Sequence, residues 1–251
     1  MILNKDELRK EIWEKLLLEA IRHPYFGYNF AEVIPNFRKS EEAVDRICTL
    51  AEWKSSQMMF LTPDEIWLLR MRAFRDLKSF VITPYGIRDE FRFVNPTEIP
   101  VAASHRFLAT LDGIEGFPKV SMARIQQLAK IDVLVTGAFA VSSTNGVRWG
   151  KGHGYFDLEW AMLSEMNCLS ENPVVICIVA DCQVVDSDLP GTEYDTRVDL
   201  IVTPTRTISV PHGQGHRPGK LHHDLLTPLM IETIPPLQEV LAYLQAKEMS
   251  I

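Results

Sequence analysis

The 251-residue sequence has no apolar run long enough for a membrane-spanning helix, no low-complexity tract and no internal repeat. It also lacks a basic surplus: the formal net charge is -7, which argues against a general nucleic-acid binder, because neutralising phosphates requires a basic face. A local basic pocket for one small anion stays compatible with that balance. Cysteine is sparse, and the four residues Cys48, Cys168, Cys177 and Cys182 form no disulfide framework in a chain of this length. The start, Met1 to Glu7, lacks the basic-then-apolar plan of a signal peptide, so the expectation is a cytoplasmic protein with no membrane partner. No serine or cysteine stands in a nucleophile elbow, and no cysteine pairs with a histidine in a catalytic signature.

What the chain does have is an ordinary globular composition, 46% hydrophobic and 24% charged, enough to bury a substantial core. Leu8, Ile12, Leu16 and Ala20 recur at helical spacing behind Asn4 and Glu7, and predict a first helix from Lys5 to Arg22. Further helices are expected over Ser40–Trp53, Pro63–Leu77, Ser121–Lys130 and from Pro235 to the end. Strands are expected over Met58–Leu61, Ser79–Thr83, Ile131–Thr136, Pro173–Ala180 and Val198–Thr203, with edge strands or loops between Arg88 and Pro118. This alternation predicts one α/β domain over 1–251, with a mainly parallel sheet covered on both faces and ligands at the carboxyl ends of its strands.

One stretch stands out, Gly146-Val147-Arg148-Trp149-Gly150-Lys151-Gly152-His153-Gly154-Tyr155-Phe156-Asp157. It lies between the apolar run Ile131–Ala140 and the helical Leu158–Leu163, where a strand is expected to hand over to a helix. Glycines admit an anion close to the backbone, and the helix start adds partial positive charge. Arg148 and Lys151 supply full charges, and Asp157 is a candidate metal ligand. The stretch is not a Walker A loop, since Gly146 to Lys151 is one spacer short and Gly152 follows the lysine. Taken alone, it is also open to a structural turn carrying charges.

Other candidates carry similar alternatives. Lys5 and Arg9, four apart, share a helix face that is either solvated or turned to a ligand. Glu193 and Asp195, before the strand at Val198, are either surface charges or partners of Asp157 for magnesium or a substrate amine. The aromatic loop from Tyr25 to Arg38 either plugs the core or forms a flat-ring pocket. Cys177, Cys182, His212 and His216 superficially echo a zinc-finger order, against which stand the apolar run around Cys177 and the long gap before His212.

The run Ile131–Ala140, the pattern Gly146-x-Arg148-x-Gly150-x-Gly152-x-Gly154-Tyr155-x-Asp157, Lys5 with Arg9, and Pro190–Asp195 followed by Val198–Pro204 together resemble the 5-formyltetrahydrofolate cyclo-ligase family, also called methenyltetrahydrofolate synthetases. Ile34–Phe37, the Gly150-Lys151-Gly152 core with Asp157-Leu158-Glu159, and Gln183–Val185 with Pro190 are similar to a divergent branch, the methenyltetrahydrofolate synthetase domain-containing proteins.

The resemblance implies a three-layer fold similar to that of ribose-5-phosphate isomerases and coenzyme A transferases. It also implies an ATP site formed by Lys5, Arg9, Arg148, Gly150, Lys151, Gly152, His153, Gly154, Tyr155 and Asp157, with Mg2+ near Asp157 and Asp195. Arg148, Lys151 and Tyr155 are then the catalytic candidates, and a reduced folate is the small-molecule partner. In the family, ATP phosphorylates the formyl oxygen of 5-formyltetrahydrofolate; N10 attacks that carbon, and phosphate loss leaves 5,10-methenyltetrahydrofolate. Phe37, Tyr85 and Phe91 are candidates for the folate side on aromatic character. Two departures carry expectations of their own: Phe156 removes a phenol, and Glu159 would set an extra negative charge beside the phosphates. The weakly matched folate side leaves one alternative, an ATP-dependent enzyme for another heteroaromatic substrate, and the two departures leave another, a non-catalytic nucleotide or folate binder.

Overall fold

The computed structural model describes residues 5–100, 103–211 and 219–249. Among these, eight strands form the main sheet: β1 Met59–Leu61, β2 Phe80–Ile82, β3 Phe91–Val94, β4 Lys119–Val120, β5 Ile131–Thr136, β8 Leu169–Ile178, β10 Leu200–Val202 and β11 Thr207–Ser209. Their spatial order is β11-β10-β8-β5-β1-β2-β3-β4. From β10 to β2 every neighbour pairs in parallel, and β11, β3 and β4 close the edges antiparallel. The remaining strands, β6 Ala140–Ser142, β7 Arg148–Trp149 and β9 Val184–Val185, form a small sheet of their own in the order β7-β6-β9.

Alternation along each strand builds two cores, one on each face of the main sheet. Met59, Leu61, Phe80, Ile82, Val133, Val135, Ile176 and Ile178 face one way. There they meet α1 Lys5–Glu19, α2 Ser40–Thr49, α3 Ala51–Ser55 and α4 Trp67–Arg75 through residues such as Leu16, Ile47, Trp53 and Leu69, with the short α5 His105–Leu108 and α6 Leu111–Ile114 beyond. Phe60, Val81, Phe91, Leu134, Val175 and Cys177 face the other way, toward α7 Met122–Gln126, α8 Tyr155–Glu165 and α10 Pro235–Glu248, which follows α9 Pro228–Thr233. The result is the expected sheet with helices on both sides. No helix among the described residues is long and apolar enough to cross a membrane.

Several boundaries differ from the sequence expectation for local reasons. The first helix ends at Glu19 because Ala20 and Ile21 are drawn into bridging with Phe37 and Asn36, ahead of Pro24. The helix expected over Ser40–Trp53 breaks at Leu50, whose backbone is extended at ψ 147°. The third helix starts at Trp67, not Pro63, because Thr62 to Ile66 forms a turn of its own. The glycine stretch does not join strand to helix directly. It holds β7, which pairs antiparallel with β6, and only then reaches α8.

Candidate active site

The chain lays down β1, moves outward to β2, β3 and β4, then returns to place β5 on the other side of β1. In an open parallel sheet, that reversal leaves a crevice at the carboxyl ends of the two strands. A cavity of about 440 Å³ opens there, with Thr62, Pro63 and Asp64 following β1 and Thr136 and Gly137 ending β5. Asp64 ties the two ends together: its Oδ2 accepts the Gly137 amide at 2.9 Å and the Thr62 hydroxyl at 2.6 Å. A side chain at residue 137 would bring its Cβ to 2.7 Å from Ile34 Cγ2, so glycine permits this approach. Behind the turn, fully buried Arg70 of α4 donates to the carbonyls of Asp64 at 3.0 Å and Ala109 at 2.6 Å. Burial pushes its pKa down to about 10, so it stays charged at neutral pH.

Four cations line the same cavity, and each rests on an aromatic ring. Lys5 and Arg9 lie one helical turn apart on α1; the Lys5 Nζ is 5.4 Å and the Arg9 Cζ 5.5 Å from the Trp149 ring. Trp149 is fixed in turn by donating its indole N–H to the Pro190 carbonyl at 3.1 Å. The guanidinium of Arg148 lies 4.3 Å over Phe156, and the Lys151 ammonium 4.3 Å over Tyr85. Among the described residues none of the four has a carboxylate within ion-pair distance, and the buried Arg148 Nε has no hydrogen-bond partner. Gly152 and Gly154 turn the chain with φ of 100° and 68°, into open space. Gly154 precedes α8 with no side-chain cap, which leaves first-turn amides available to an anion.

The acidic groups are held differently. Asp157 accepts the Thr196 amide at 2.8 Å; burial raises its pKa, and nearby Arg148 only partly opposes that. Asp195 Oδ2 accepts the Thr192 amide at 2.5 Å, on the Pro190–Asp195 segment that closes one side of the cavity. Glu193 is exposed and lies outside the lining. No group of three or more histidine, cysteine, aspartate or glutamate side chains is placed to hold a metal among the described residues. Cys177 is buried in β8, and His212 and His216 lie outside the described residues. Glu159 corrects an expectation: it does not present an exposed negative charge at the cavity. It is only 2% exposed, accepts the hydroxyl of Thr83, and burial pushes its pKa up to about 8, so it is mostly neutral at pH 7.

The cavity therefore brings together Lys5, Arg9, Arg148, Gly150, Lys151, Gly152, His153, Gly154, Tyr155, Asp157 and Asp195, with Tyr85 of the three folate-side candidates. Phe37 and Phe91 are absent from its walls. Phe37 is 2% exposed in the core beneath α1 and α2, and Phe91 fills the opposite core from β3 at 0%. The aromatic loop divides its work, with Phe30 and Phe37 plugging the core while Phe26 stacks on Tyr85 at 5.9 Å. Asp64 and Thr62 escaped the sequence analysis. Their one signal was position, directly after an apolar strand.

Comparison with known proteins agrees with this architecture. The model of the 5-formyltetrahydrofolate cyclo-ligase family matches residues 2–204. A methenyltetrahydrofolate synthase domain-containing protein of Homo sapiens is 32% identical over 212 residues, covering 82% of this chain and 54% of its own length. One from Danio rerio is 29% identical over 234 residues, covering 90% and 60%. The chain thus spans little more than half the length of these curated relatives. The NMR structure of Aquifex aeolicus 5,10-methenyltetrahydrofolate synthetase superposes with a TM-score of 0.51 at 20% identity, over 89% of this chain and 100% of that one, which shows a shared fold. With a family match that runs from α1 past β10, the chain belongs to the 5-formyltetrahydrofolate cyclo-ligase family.

Proposed function

We propose that the protein is an ATP- and magnesium-dependent ligase that closes 5-formyltetrahydrofolate to 5,10-methenyltetrahydrofolate, with release of ADP and phosphate. One observation carries the proposal: four cations, two from α1 and two from the glycine stretch, face one cavity with no carboxylate in ion-pair distance among the described residues, beside an uncapped helix start. That set fits a polyphosphate. The orphaned Arg148 Nε in particular has a donor to give. Magnesium is compatible with Asp157 and Asp195, because this ion takes one or two carboxylates and completes its shell with phosphate and water. Bound ATP supplies the phosphoryl group that turns the formyl oxygen into a leaving group.

The chain's own contribution is electrostatic and positional. Arg148 and Lys151 neutralise charge where it develops during transfer, the glycine amides hold the phosphates in line, and the Tyr155 phenol offers a hydrogen bond at the same wall. No protein nucleophile is required. Purified protein should generate the methenyl chromophore from 5-formyltetrahydrofolate, ATP and magnesium. Arg148→Ala should cost on the order of 1.5–3 kcal/mol of transition-state stabilisation, read as about ten- to a hundredfold in kcat/KM, with circular dichroism unchanged. No chromophore from the natural sequence would sink the proposal.

A second reading keeps the ATP site but changes the substrate to another heteroaromatic compound. It is favoured by the folate side, where Tyr85 is the one candidate aromatic on the cavity wall. ATP turnover stimulated by such a compound and not by the folate would select it.

A further inference from the structure

Of the four cations, Lys151 has the least to fix it in place. Lys5 and Arg9 ride on α1 and Arg148 on β7, whereas Lys151 stands between Gly150 and Gly152 on the turn that follows. A lysine there carries a point charge on a stem with several free torsions. Among the described residues no carboxylate lies within ion-pair distance of its ammonium, and the contact it makes is with the ring of Tyr85, at 4.3 Å. Tyr85 is itself tightly held. It opens the turn after β2, and its phenol donates to the Glu32 carbonyl at 2.6 Å. Phe26 stacks on it with the ring centroids 5.9 Å and the planes 24° apart. Phe26 is fixed in turn by His23, whose Nδ1 accepts the amides of Tyr25 at 3.2 Å and Phe26 at 3.1 Å and whose ring stacks on Phe26 at 5.0 Å. The Nε2 of His23 lies 3.4 Å from Glu65, just after β1. A line of contacts therefore runs from the end of β1 through the aromatic loop to Lys151, and of its members Tyr85 and Lys151 reach the cavity wall.

We propose that Tyr85 is a positioning residue that seats Lys151 over the cavity, and that the aromatic loop acts on the reaction through it. The inference rests on the function proposed above and deepens it, by assigning what holds one of the charges that meet the transferring phosphate. A cation fixed before the reaction stabilises developing charge without first having to be ordered. The ring face supplies that order without neutralising the charge, as a carboxylate would. Tyr85 thus serves the phosphate half of the cavity, not the folate side that its aromatic character first suggested. Its phenol is engaged with Glu32, and its ring already carries Phe26 and Lys151.

The test measures methenyl formation from 5-formyltetrahydrofolate, ATP and magnesium at steady state. Tyr85→Leu, which keeps an apolar side chain but removes the ring, should lower kcat about tenfold or more and move KM for the folate by less than about twofold. Tyr85→Phe, which keeps the ring and its stack on Phe26, should stay within about threefold of the natural kcat. In a Lys151→Met background, Tyr85→Leu should lower kcat by less than a further factor of about two, because the group it positions is already gone. Should Tyr85→Leu fail to fold, Phe26→Leu, which lies off the cavity wall, should lower kcat in the same direction with the folate KM again in place. A readout free of activity uses protein reductively methylated with isotope-labelled formaldehyde, since dimethyl-lysine keeps its charge. The Lys151 methyl signal, identified by its loss in Lys151→Arg, should be displaced upfield by the Tyr85 ring, stay displaced in Tyr85→Phe and lose the displacement in Tyr85→Leu.

A tenfold rise in KM for the folate at unchanged kcat overturns the inference and makes Tyr85 a substrate contact. A full loss from Tyr85→Leu in the Lys151→Met background overturns it as well, since Tyr85 then acts on something other than Lys151. A methyl signal that Tyr85→Leu leaves in place overturns the seat itself. No chromophore from the natural chain overturns the proposed function, and the methyl signal then decides the seat of Lys151 on its own.

Discussion

At the scale of single residues, Glu159 links the site to stability. Its carboxyl is raised from 4.5 to about 8, mainly by burial, so between those values the folded chain binds a proton that the unfolded chain has lost. Stability must therefore fall as pH rises from about 4.5 to about 8, by up to about 1.4 kcal/mol per unit for one such group, and level off above that. Asp157, also raised, pushes in the same direction. Asp89 works oppositely, being held below the usual carboxylate range by Arg92 and Lys119, but it is more exposed and acts only at lower pH. Urea unfolding between pH 5 and 8 should show the decline, and Glu159→Gln should remove a large part of it. An unchanged slope would contradict the burial argument. Phe156 carries the complementary lesson, because the sequence registers a lost phenol where the structure has a ring 4% exposed beneath Arg148. The ring also belongs to the apolar core on that face of the sheet.

Among elements, α4 shows what supports the site from behind. Arg70 joins that helix to the turn after β1 and to the end of α5 through the Asp64 and Ala109 carbonyls. Arg70→Ala would strand those carbonyls and leave a void, and should cost about 3–5 kcal/mol in chemical denaturation. A loss below about 1 kcal/mol would show that the turn holds without it. The long signals were legible in the sequence: β5 was located at its exact ends by its apolar run, and α1 and α10 by their spacing. The small sheet was not, since strands of two or three residues such as β7, β6 and β9 are too short to display a period. The cationic half of the site was legible because glycines and cations are contiguous there. Asp64, Thr83 and Glu159 meet only through the order of strands, which local pattern does not encode.

For the molecule as a whole, the formal charge of -7 is spread over a surface whose cations are partly gathered at one crevice. On the proposed function, a polyphosphate would meet a body of like charge with an attractive opening at this crevice, which would orient its approach. Stopped-flow binding of ATP should slow by about tenfold on raising ionic strength from about 0.05 M to about 0.5 M, and Arg9→Gln should flatten that dependence. A salt-independent rate would refute the steering argument. The aromatic seats of the cations add a kinetic consequence. Lys5, Arg9, Arg148 and Lys151 rest on rings, with no carboxylate in ion-pair distance among the described residues, so an arriving anion has no such ion pair to displace. Capture is then a transfer from a soft partner to a hard one, with no internal salt bridge to break first.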